Sequence, residues 1–390
     1  MKTNCFDIGI VGAGPAGSSA AISLARKGYS VVLVDKSTFP RSKLCGDFLN
    51  PINWPFFKGM GIAKDVLSLK PERITSFRLS TFLGHEASLP FPAQNDHSIF
   101  GLGLERSAFD NLLITKAEQV GAVIMQGFRP SGLRQEKDGW CMMLGSRSTE
   151  QRVRSTFLIG ADGRNSWVAR RLGLAQLNPR LERYLAFQTH LRSVQGDKGK
   201  VEIHIFPGGY AGLARIGGGI SNLCFVVERE LATGHQSIEA LMERCLFQNP
   251  FLYEILKNSE IVGSVHSASP VYFSPRCCYG AGFLLVGDAA RVVEPVTGEG
   301  IYFALKGGAL ASEATHQAFC RTNFSARQLS SYGRSCQRTF FFRQQINTFV
   351  RYLIYRPRLL APLIRLSSRS SFPLAPLVNF VCQPGSASRF

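Results

Sequence analysis

The stretch Phe6–Asp35, FDIGIVGAGPAGSSAAISLARKGYSVVLVD, decides the fold of this chain. A short apolar run is followed by a glycine-rich turn, an Ala- and Leu-rich segment with helical spacing, a second apolar run at 31–34 and an acid, Asp35. Strand, glycine turn, helix, strand and acid, in this order, form the fingerprint of a Rossmann-like dinucleotide-binding unit. We therefore expect an adenine dinucleotide here, and the stretch itself leaves FAD and NAD both open.

The positions of the turn have separate roles in this fingerprint. Gly12 permits the tight turn, Gly14 lets the backbone approach a pyrophosphate, and Gly17 lets the helix pack closely on the strand. The helix N-terminus offers free N–H groups and the positive end of its dipole to the phosphates. Asp35, eighteen residues beyond Gly17, is placed to accept hydrogen bonds from ribose hydroxyls. We also expect Ala16 and Lys36 to contact the dinucleotide.

The net charge of +18 is concentrated at the carboxyl end of the 390-residue chain. Residues 321–390 contain eleven Arg and no Lys, Asp or Glu, and they are also rich in Phe, Leu, Ile and Pro. A basic and apolar segment favours an anionic membrane surface or a lipid-like ligand over nucleic acid. The alternative is that the Arg stems pack over the core while their charged heads stay in water. The sequence leaves both open.

Composition bounds the class of protein. Hydrophobic residues make up 45% and charged residues 18% of the sequence, which excludes a largely disordered chain. Ten cysteines are scattered without a CxxC pair, and no His spacing suggests zinc, so we predict no metal site. The first strand leaves no room for a signal peptide, and no apolar run reaches the roughly eighteen residues of a membrane-spanning helix. We expect a reducing, cytoplasmic compartment. Peripheral membrane association through the basic segment is one of the two open alternatives, and the sequence leaves the oligomeric state unknown.

Signals of the dinucleotide-binding domain recur along the chain, near residues 6, 104, 157 and 283. Between them, Lys198–Phe206 and Leu223–Glu228 alternate as strands of an antiparallel sheet do. The spacing also predicts a helix after Leu104 with Ser107 as N-cap, and a long helix from near Gly298 to Cys320. The predicted fold class is α/β, with a discontinuous Rossmann-like domain over 1–73, 100–180 and 277–320, an inserted antiparallel-sheet substrate domain over 74–99 and 181–276, and a helical C-terminal arm over 321–390 that is broken at Pro357, Pro362 and Pro373.

Two further motifs decide the cofactor. They are Phe157–Ser166, FLIGADGRNS, and Phe283–Ile301, FLLVGDAARVVEPVTGEGI. Together with the N-terminal fingerprint, they resemble the FAD-dependent aromatic hydroxylase (class A flavoprotein monooxygenase) superfamily, which also contains geranylgeranyl reductases and flavin-dependent halogenases. The resemblance covers residues 6 to about 320, with three separated motifs in the order of the family. It implies that the Rossmann-like domain binds FAD.

The resemblance assigns roles to residues of these motifs. Asp288, after Gly287, is expected to bind the ribityl hydroxyls of FAD, with a helix cap as the alternative. The turn formed by Pro295, Gly298, Gly300 and Ile301 is expected to lie against the isoalloxazine, where backbone N–H groups stabilise negative charge on the reduced ring. Asp162 is expected near the pyrophosphate and the pyridine nucleotide. Arg106 is expected to contact FAD, with a surface arginine as the alternative. Arg41 and Lys43 are expected to neutralise charge on the pyrophosphate.

The second nucleotide, NAD(P)H, is expected only as a transient reductant. No second GxGxxG follows the first, and the glycines 217–219 have no helical pattern behind them, so they are predicted to form a turn between strands. This pattern fits an enzyme that binds one dinucleotide and that NAD(P)H visits at a surface groove.

The loop Phe39–Asp47 bears on the reaction. Its Pro-x-x-Lys-x-Cys-Gly pattern is similar to the geranylgeranyl reductase branch, whose substrates are prenyl lipids, and so is the basic, apolar arm. That branch and the halogenases usually carry a Tyr-x-Trp-x-Phe-Pro strand over the flavin, whereas Gly209–Arg215 keeps the Tyr and lacks Trp and Pro. The lysine that halogenases need is replaced by Glu72 and Arg73, with Lys70 only nearby, and an arginine cannot act as the reactive amine.

The leading prediction is an FAD-dependent monooxygenase that uses NAD(P)H and O2 on an apolar or lipid-like substrate, for which an aromatic compound is one option. Such an enzyme needs little side-chain chemistry beyond excluding water and placing the substrate. One alternative is a reductase that saturates isoprenoid double bonds, and another is a non-catalytic flavin-binding electron carrier or scaffold. Cys45 is the catalytic candidate, because the family loop places it near the flavin ring, with a packing role as the alternative. Structural roles are predicted for His190, His204 and His266.

Overall fold

The computed structural model describes residues 3–94, 97–146, 149–175, 183–234, 237–370 and 373–383. The expected domain boundary at 180/181 and the end of the arm, 384–390, lie outside the described residues. In chain order, the strands of the described part are β1 (Thr3–Val11), β2 (Val31–Asp35), β3 (Phe48–Leu49), β4 (Glu72–Ile74), β5 (Ser76–Thr81), β6 (Glu86–Pro90), β7 (Ala93–Gln94), β8 (His97–Ser98), β9 (Gly101–Gly103), β10 (Val123–Gln126), β11 (Arg129–Glu136), β12 (Gly139–Gly145), β13 (Glu150–Gly160), β14 (Tyr184–Arg192), β15 (Lys200–Phe206), β16 (Gly209–Gly217), β17 (Ile220–Glu228), β18 (Glu260–Ala268), β19 (Tyr279–Gly280) and β20 (Phe283–Leu285).

The α-helices of the described part are α1 (Pro15–Arg26), α2 (Trp54–Gly59), α3 (Ala63–Ser68), α4 (Arg106–Gln119), α5 (Trp167–Arg171), α6 (Arg229–Ala232), α7 (Ile238–Cys245), α8 (Pro250–Leu256), α9 (Gly300–Cys320), α10 (Ala326–Ile354), α11 (Pro357–Ser367) and α12 (Ala375–Cys382). Short 3-10 turns include Gly287–Ala289 and Pro295–Thr297. None of the helices in the described ranges combines the length with the apolar character that crossing a membrane requires.

The first sheet has a parallel centre in the order β10-β2-β1-β13-β20. β2 is buried along its whole length, as expected for a parallel strand that is covered on both faces. The second half of β13 pairs with β20, and its first half pairs with β12 in an antiparallel extension formed by β12 and β11. Because parallel strands end at the same edge of a sheet, this edge brings together residues at or shortly beyond their ends, which are Gly12, Asp35, Ala161 and Gly287.

The second sheet has the order β18-β14-β17-β16-β15-β5-β6 and is antiparallel except between β15 and β5. One face packs against α7 and α8 through side chains that include Phe225 and Leu252. The other face packs against α11 and α12 through side chains that include Ile203, Ile364 and Val378. The predicted α/β class, with a Rossmann-type parallel sheet, an antiparallel sheet and further helices, is confirmed.

The C-terminal helices pack on the rest of the fold. Phe340 of α10 stacks on Phe303 of α9 at a centroid distance of 4.6 Å, and the Tyr332 hydroxyl donates to the Leu285 carbonyl at 3.0 Å. The helix break predicted at Pro362 is wrong, because this residue lies inside α11. A proline removes one N–H from a helix, but the neighbouring Leu360, Ala361 and Ile364 are buried, and this packing keeps the helix continuous.

Helix α4 begins one residue before the predicted cap. Ser107 lies in its first turn, and its hydroxyl donates to the Glu105 carboxylate instead of accepting from the backbone, so the prediction of Ser107 as N-cap is wrong. The Arg106 N–H is satisfied from elsewhere in the chain, since it donates to Asp47 Oδ1 at 3.1 Å. A tertiary contact therefore replaces the local cap.

Candidate flavin site

The glycine turn after β1 is shaped by close backbone contacts. Gly12 has a φ of +103°, and a Cβ there would lie 2.4 Å from the Ala161 carbonyl oxygen. A Cβ on Gly17 would lie 1.9 Å from the carbonyl oxygen of Gly12. Gly14, at the N-cap of α1, is different, because a Cβ there would have no protein atom nearer than Arg41 Nη2, at 3.6 Å. The space above Gly14 and the free N–H groups of α1 thus fit a pyrophosphate that lies against the backbone.

Asp35 is fixed at the end of β2. Its Oδ2 accepts from the Ala13 N–H at 2.8 Å, and its Oδ1 accepts from the Ser37 N–H at 2.9 Å. Each carboxylate oxygen has a second acceptor position. The carboxylate therefore shapes the glycine turn while it keeps the capacity to bind ribose hydroxyls. Lys36 is exposed beside it.

Two predicted cations share one buried acid. Asp110, which is fully buried, accepts from Arg106 Nε and Nη2 at 2.9 Å each, and Arg41 Nη1 lies 3.1 Å from its Oδ2. Burial lowers the pKa of the Arg106 guanidinium, but Asp110 and Cys45 together raise it through charge and hydrogen bonds, and the pKa is raised overall. Arg106 is therefore a buried and permanently charged residue and not a surface arginine. Arg41 reaches over the glycine turn, where its Nη2 faces Gly14.

A cavity lies between the two sheets and brings most predicted site residues together. Its walls come from the glycine turn, the loop 43–46, strands of the second sheet and the segment 292–304. The predicted residues that line it are Gly14, Ala16, Lys43, Cys45, Arg106, Asp288, Pro295, Gly298, Gly300 and Ile301. Those that do not line it are Gly12, Gly17, Asp35, Lys36, Arg41, Asp162 and Gly287.

Asp162 uses its carboxylate inside the protein. Its Oδ2 accepts from the N–H groups of Trp167 and Val168 at 2.6 and 3.1 Å, and its Oδ1 accepts from the Ser166 hydroxyl at 2.5 Å. It thus caps the N-terminus of α5. The neighbouring Gly163 and Arg164 line the cavity instead. Contact of this segment with a cofactor would therefore involve those two neighbours, while a nucleotide contact of Asp162 stays a prediction.

The segment after β20 forms the wall expected against the isoalloxazine. Pro295–Thr297 is a 3-10 turn, and Gly298 follows with a φ of +64°, where a Cβ would lie 2.8 Å from Phe48 Cδ1. Helix α9 starts at Gly300, so its free N–H groups and positive dipole end face the cavity. This arrangement fits a ring that becomes negatively charged on reduction.

The C-terminal arm supports this wall through residues that the sequence analysis missed. Buried Arg343 of α10 forms an ion pair with buried Glu299, and Asn347 hydrogen-bonds Glu294 and Thr297. A signal was available in the sequence, since both polar residues continue the helical spacing of an otherwise apolar stripe, Leu329, Tyr332, Cys336 and Phe340.

Tyr210, the tyrosine kept in strand β16, also contacts this segment. Its hydroxyl donates to Glu294 Oε1 at 2.6 Å, and both groups are buried. Burial raises the pKa of the Glu294 carboxyl, while the hydrogen bond from Tyr210 opposes the rise. Burial also raises the pKa of the Tyr210 phenol, so this group stays a donor.

The loop that carries Cys45 is held between α4 and the second sheet. The Cys45 N–H donates to Gln188 Oε1 at 3.1 Å, and Asn222 Nδ2 donates to the Cys45 carbonyl at 3.0 Å. Asp47 Oδ2 lies 2.9 Å from His190 Nε2. The hydrogen bond to Asp47 raises the pKa of His190 against the effect of burial. His190, predicted to be structural, thus pairs with the acid at the end of the loop Phe39–Asp47.

Two thiols line the cavity, and their surroundings differ. Burial raises the pKa of Cys45, whereas the adjacent Arg106 guanidinium lowers it through its charge and a hydrogen bond. Burial, together with the smaller effects of the neighbouring Cys45 and Asp47, raises the pKa of Cys224 to about 12. Both are thiols at neutral pH, and only the Cys45 thiolate would have a hydrogen-bonded cation beside it.

A Rossmann-type flavoprotein is the class of protein that this fold and site define. The FAD binding domain family matches residues 6–309, and the chain belongs to this family. The superfamily predicted from the three motifs is thereby confirmed. The close backbone contacts, basic residues and helix N-termini found here fit that cofactor.

Relatives of the chain support its assignment to this family. It is 29% identical over 338 residues to the digeranylgeranylglycerophospholipid reductase of Methanosarcina acetivorans, over 83% of this chain and 78% of that protein. It is 25% identical over 341 residues to conditioned medium factor receptor 1 of Dictyostelium discoideum, over 84% of this chain and 66%, just under two thirds, of that protein. The structure of a geranylgeranyl bacteriochlorophyll reductase-like protein from Thermoplasma acidophilum has the same fold, with a TM-score of 0.83 at 21% identity, over 97% of this chain and 96% of that chain.

Proposed function

We propose that this FAD-dependent oxidoreductase saturates carbon–carbon double bonds of an isoprenoid, lipid-like substrate, with NAD(P)H or a comparable reductant as the electron source. One observation carries the proposal: Cys45 presents a protonated thiol beside Arg106 in the wall of the cavity. Reduction of an isolated double bond needs a proton donor in the wall of the cavity that holds the substrate, whereas oxygen insertion does not.

The cavity wall suits an unsaturated hydrocarbon. Its second-sheet side carries the apolar side chains Phe77, Val201, Ile203, Leu213 and Val226, beside the more polar residues Glu202, Tyr210 and Cys224. An apolar chain entering such a wall loses contact with water at little cost in unsatisfied polar groups. The relative from Methanosarcina acetivorans is named as a reductase of a digeranylgeranyl lipid, and this name supports the same substrate class.

The step balances as a hydride and a proton added across one C=C bond. Reduced FAD, when bound, supplies the hydride to one carbon. Cys45 gives its thiol proton to the other carbon, so that the double bond becomes a CH–CH single bond. The thiolate that remains is stabilised by the Arg106 guanidinium until a proton from solvent restores the thiol. Cys224 lacks such a hydrogen-bonded cation, and its thiolate would be more costly to form.

The second candidate is the monooxygenase predicted from the superfamily. The strand over the cavity favours it, because Gly209–Arg215 keeps Tyr210 but lacks the Trp and Pro usual in the reductase branch. In that reaction the residues of the apolar wall would exclude water and orient the substrate. The third candidate, a non-catalytic electron carrier, would need neither the thiol nor the apolar wall.

One experiment separates the three candidates. Holoprotein reduced anaerobically with NADH, NADPH or dithionite is mixed with geranylgeraniol in D2O, and the product is analysed by mass spectrometry. We expect saturated product, formed without oxygen, that carries deuterium taken from the solvent. The C45A variant should lose about 100-fold or more of the rate while its flavin is still reduced, and the matched C224A variant should keep the rate.

Other outcomes would contradict the proposal. Product formed only in air, with isotope-labelled oxygen incorporated, would identify a monooxygenase. Flavin that reduces and reoxidises without any product from geranylgeraniol or other polyprenyl compounds and lipophilic phenols would favour the carrier. If C45A and C224A lost the same rate, the Arg106 guanidinium would not explain why Cys45 is the proton donor.

A further inference from the structure

Helix α10 exposes large apolar side chains along one face. Phe341, Phe342, Phe349 and Tyr352 are 45%, 70%, 59% and 48% exposed. At about 100° per residue, they lie opposite the buried stripe that ends in Arg343 and Asn347. Single exposed apolar residues are ordinary, but four on one helix face form a patch that indicates a binding surface.

The exposed faces of α10 and α11 are also cationic. Arg334 and Arg338 are exposed on the α10 face that carries the aromatic residues, and both lie within the segment 321–390 that has no acidic residue. In α11, exposed Leu359 and Leu366 are each preceded by an exposed arginine, Arg358 and Arg365. Among the residues that the structure describes, these four arginines form no ion pair with a carboxylate. The alternative, in which the arginine stems cover the core, does not fit these four arginines, because the apolar side chains beside them are themselves exposed.

We propose that the exposed faces of α10 and α11 dock on an anionic phospholipid bilayer. Arginines attract the lipid head groups, and the Phe, Tyr and Leu side chains enter the boundary with the acyl chains. Two further occupants are disfavoured by the same residues. A second copy would bring two arginine-rich faces together, and a single-stranded nucleic acid would stack on Phe but gain little from Leu359 and Leu366.

Docking would connect the membrane with the flavin site through one helix. The exposed face of α10 carries Phe342 and Phe349, and its buried face holds the segment 294–299 through Arg343 and Asn347. The inference concerns binding and not turnover, so its failure and the failure of the proposed reaction are distinguishable.

The test is co-sedimentation of full-length protein with vesicles of phosphatidylcholine alone or mixed with phosphatidylglycerol. We expect partition into the anionic vesicles that weakens with salt. The F342S/F349S and R334Q/R338Q variants should each lower the partition coefficient at least about tenfold. The control L67S/L83S removes two leucines that are 47% and 45% exposed elsewhere, and it should leave partition unchanged. Equal flavin content and unfolding midpoints would show that all variants are folded.

Several outcomes would overturn the proposal. They are wild-type protein that stays in solution with anionic vesicles, partition that is unchanged in F342S/F349S and R334Q/R338Q, and an equal loss in L67S/L83S. A wild-type dimer that F342S/F349S converts to a monomer in light scattering would assign the face to self-association. Oligonucleotide binding that the same variants abolish, without vesicle binding, would assign it to nucleic acid.

Discussion

Asn347 of helix α10 and Glu294 of the segment beside the cavity exchange two hydrogen bonds. The Glu294 N–H donates to Asn347 Oδ1 at 2.9 Å, and Asn347 Nδ2 donates to the Glu294 carbonyl at 3.1 Å. The same amide also donates to the Thr297 hydroxyl at 2.7 Å. The C-terminal arm therefore sets the conformation of the segment that is expected to lie against the isoalloxazine.

Replacing Asn347 by Ala should weaken this wall. The buried Glu294 N–H and Thr297 hydroxyl would lose their partner, which costs about 1–3 kcal/mol per unsatisfied group. We expect a lower midpoint in urea unfolding and faster release of FAD, measured by flavin fluorescence. The matched control is Gln345→Ala, an exposed position of the same helix, which should change neither. Unchanged FAD release in N347A would show that the wall does not depend on this contact.

The buried ion pair between Arg343 and Glu299 predicts an asymmetric pair of variants. Arg343→Met leaves the Glu299 carboxylate buried without its cation, which costs about 3–5 kcal/mol. The double variant R343M/E299Q removes both charges and should recover part of that loss. Free energies of unfolding and flavin content measure both effects, and the exposed Arg338→Met serves as control. Equal stability of R343M and wild type would contradict the assignment.

Gly14 permits a test of cofactor binding that leaves the fold intact. A Cβ at Gly14 meets the protein no closer than 3.6 Å, so the G14A apoprotein should unfold as the wild type does. Its Cβ would occupy space assigned to the pyrophosphate, and we expect an FAD dissociation constant that rises by about tenfold or more. In G17A the Cβ would lie 1.9 Å from the Gly12 carbonyl oxygen, so that variant should lose stability as well. Gly145→Ala, in a strand of the sheet, is the control, and FAD affinity equal to wild type in G14A would place the pyrophosphate elsewhere.

The His190–Asp47 contact predicts a pH dependence of stability. The hydrogen bond raises the pKa of folded His190 above the value of about 6.5 that applies to the unfolded chain. The contribution of the protonated imidazole is therefore fully present below about pH 6.5 and is lost as the pH rises through the folded pKa. Denaturation curves across this range should show a decline that H190Q lacks. An NMR titration should give a lower His190 pKa in D47N, and an unchanged pKa would refute the pairing.

Local spacing was sufficient for the parts of the site that belong to contiguous motifs. Gly12, Gly14, Gly17 and Asp35 lie within one β-α-β unit, so the geometry that unites them is set by residues near each other in the chain. The positions of Asp288 and of the turn at Gly298 follow in the same way from a strand that ends at the edge of the parallel sheet. The α/β class could be predicted for the same reason.

Contacts between distant segments were decided only by tertiary packing. Asp47 and His190 are 143 residues apart, and Arg343 and Glu299 are 44 apart, so no local period relates them. The Asp162 carboxylate accepts from the first N–H groups of α5, a contact that the local motif did not predict. Ser107 is not the cap of α4, because Asp47 accepts from the first N–H of this helix. Helix caps and ion pairs need only a donor and an acceptor in register, and which pair meets depends on the packing of whole elements.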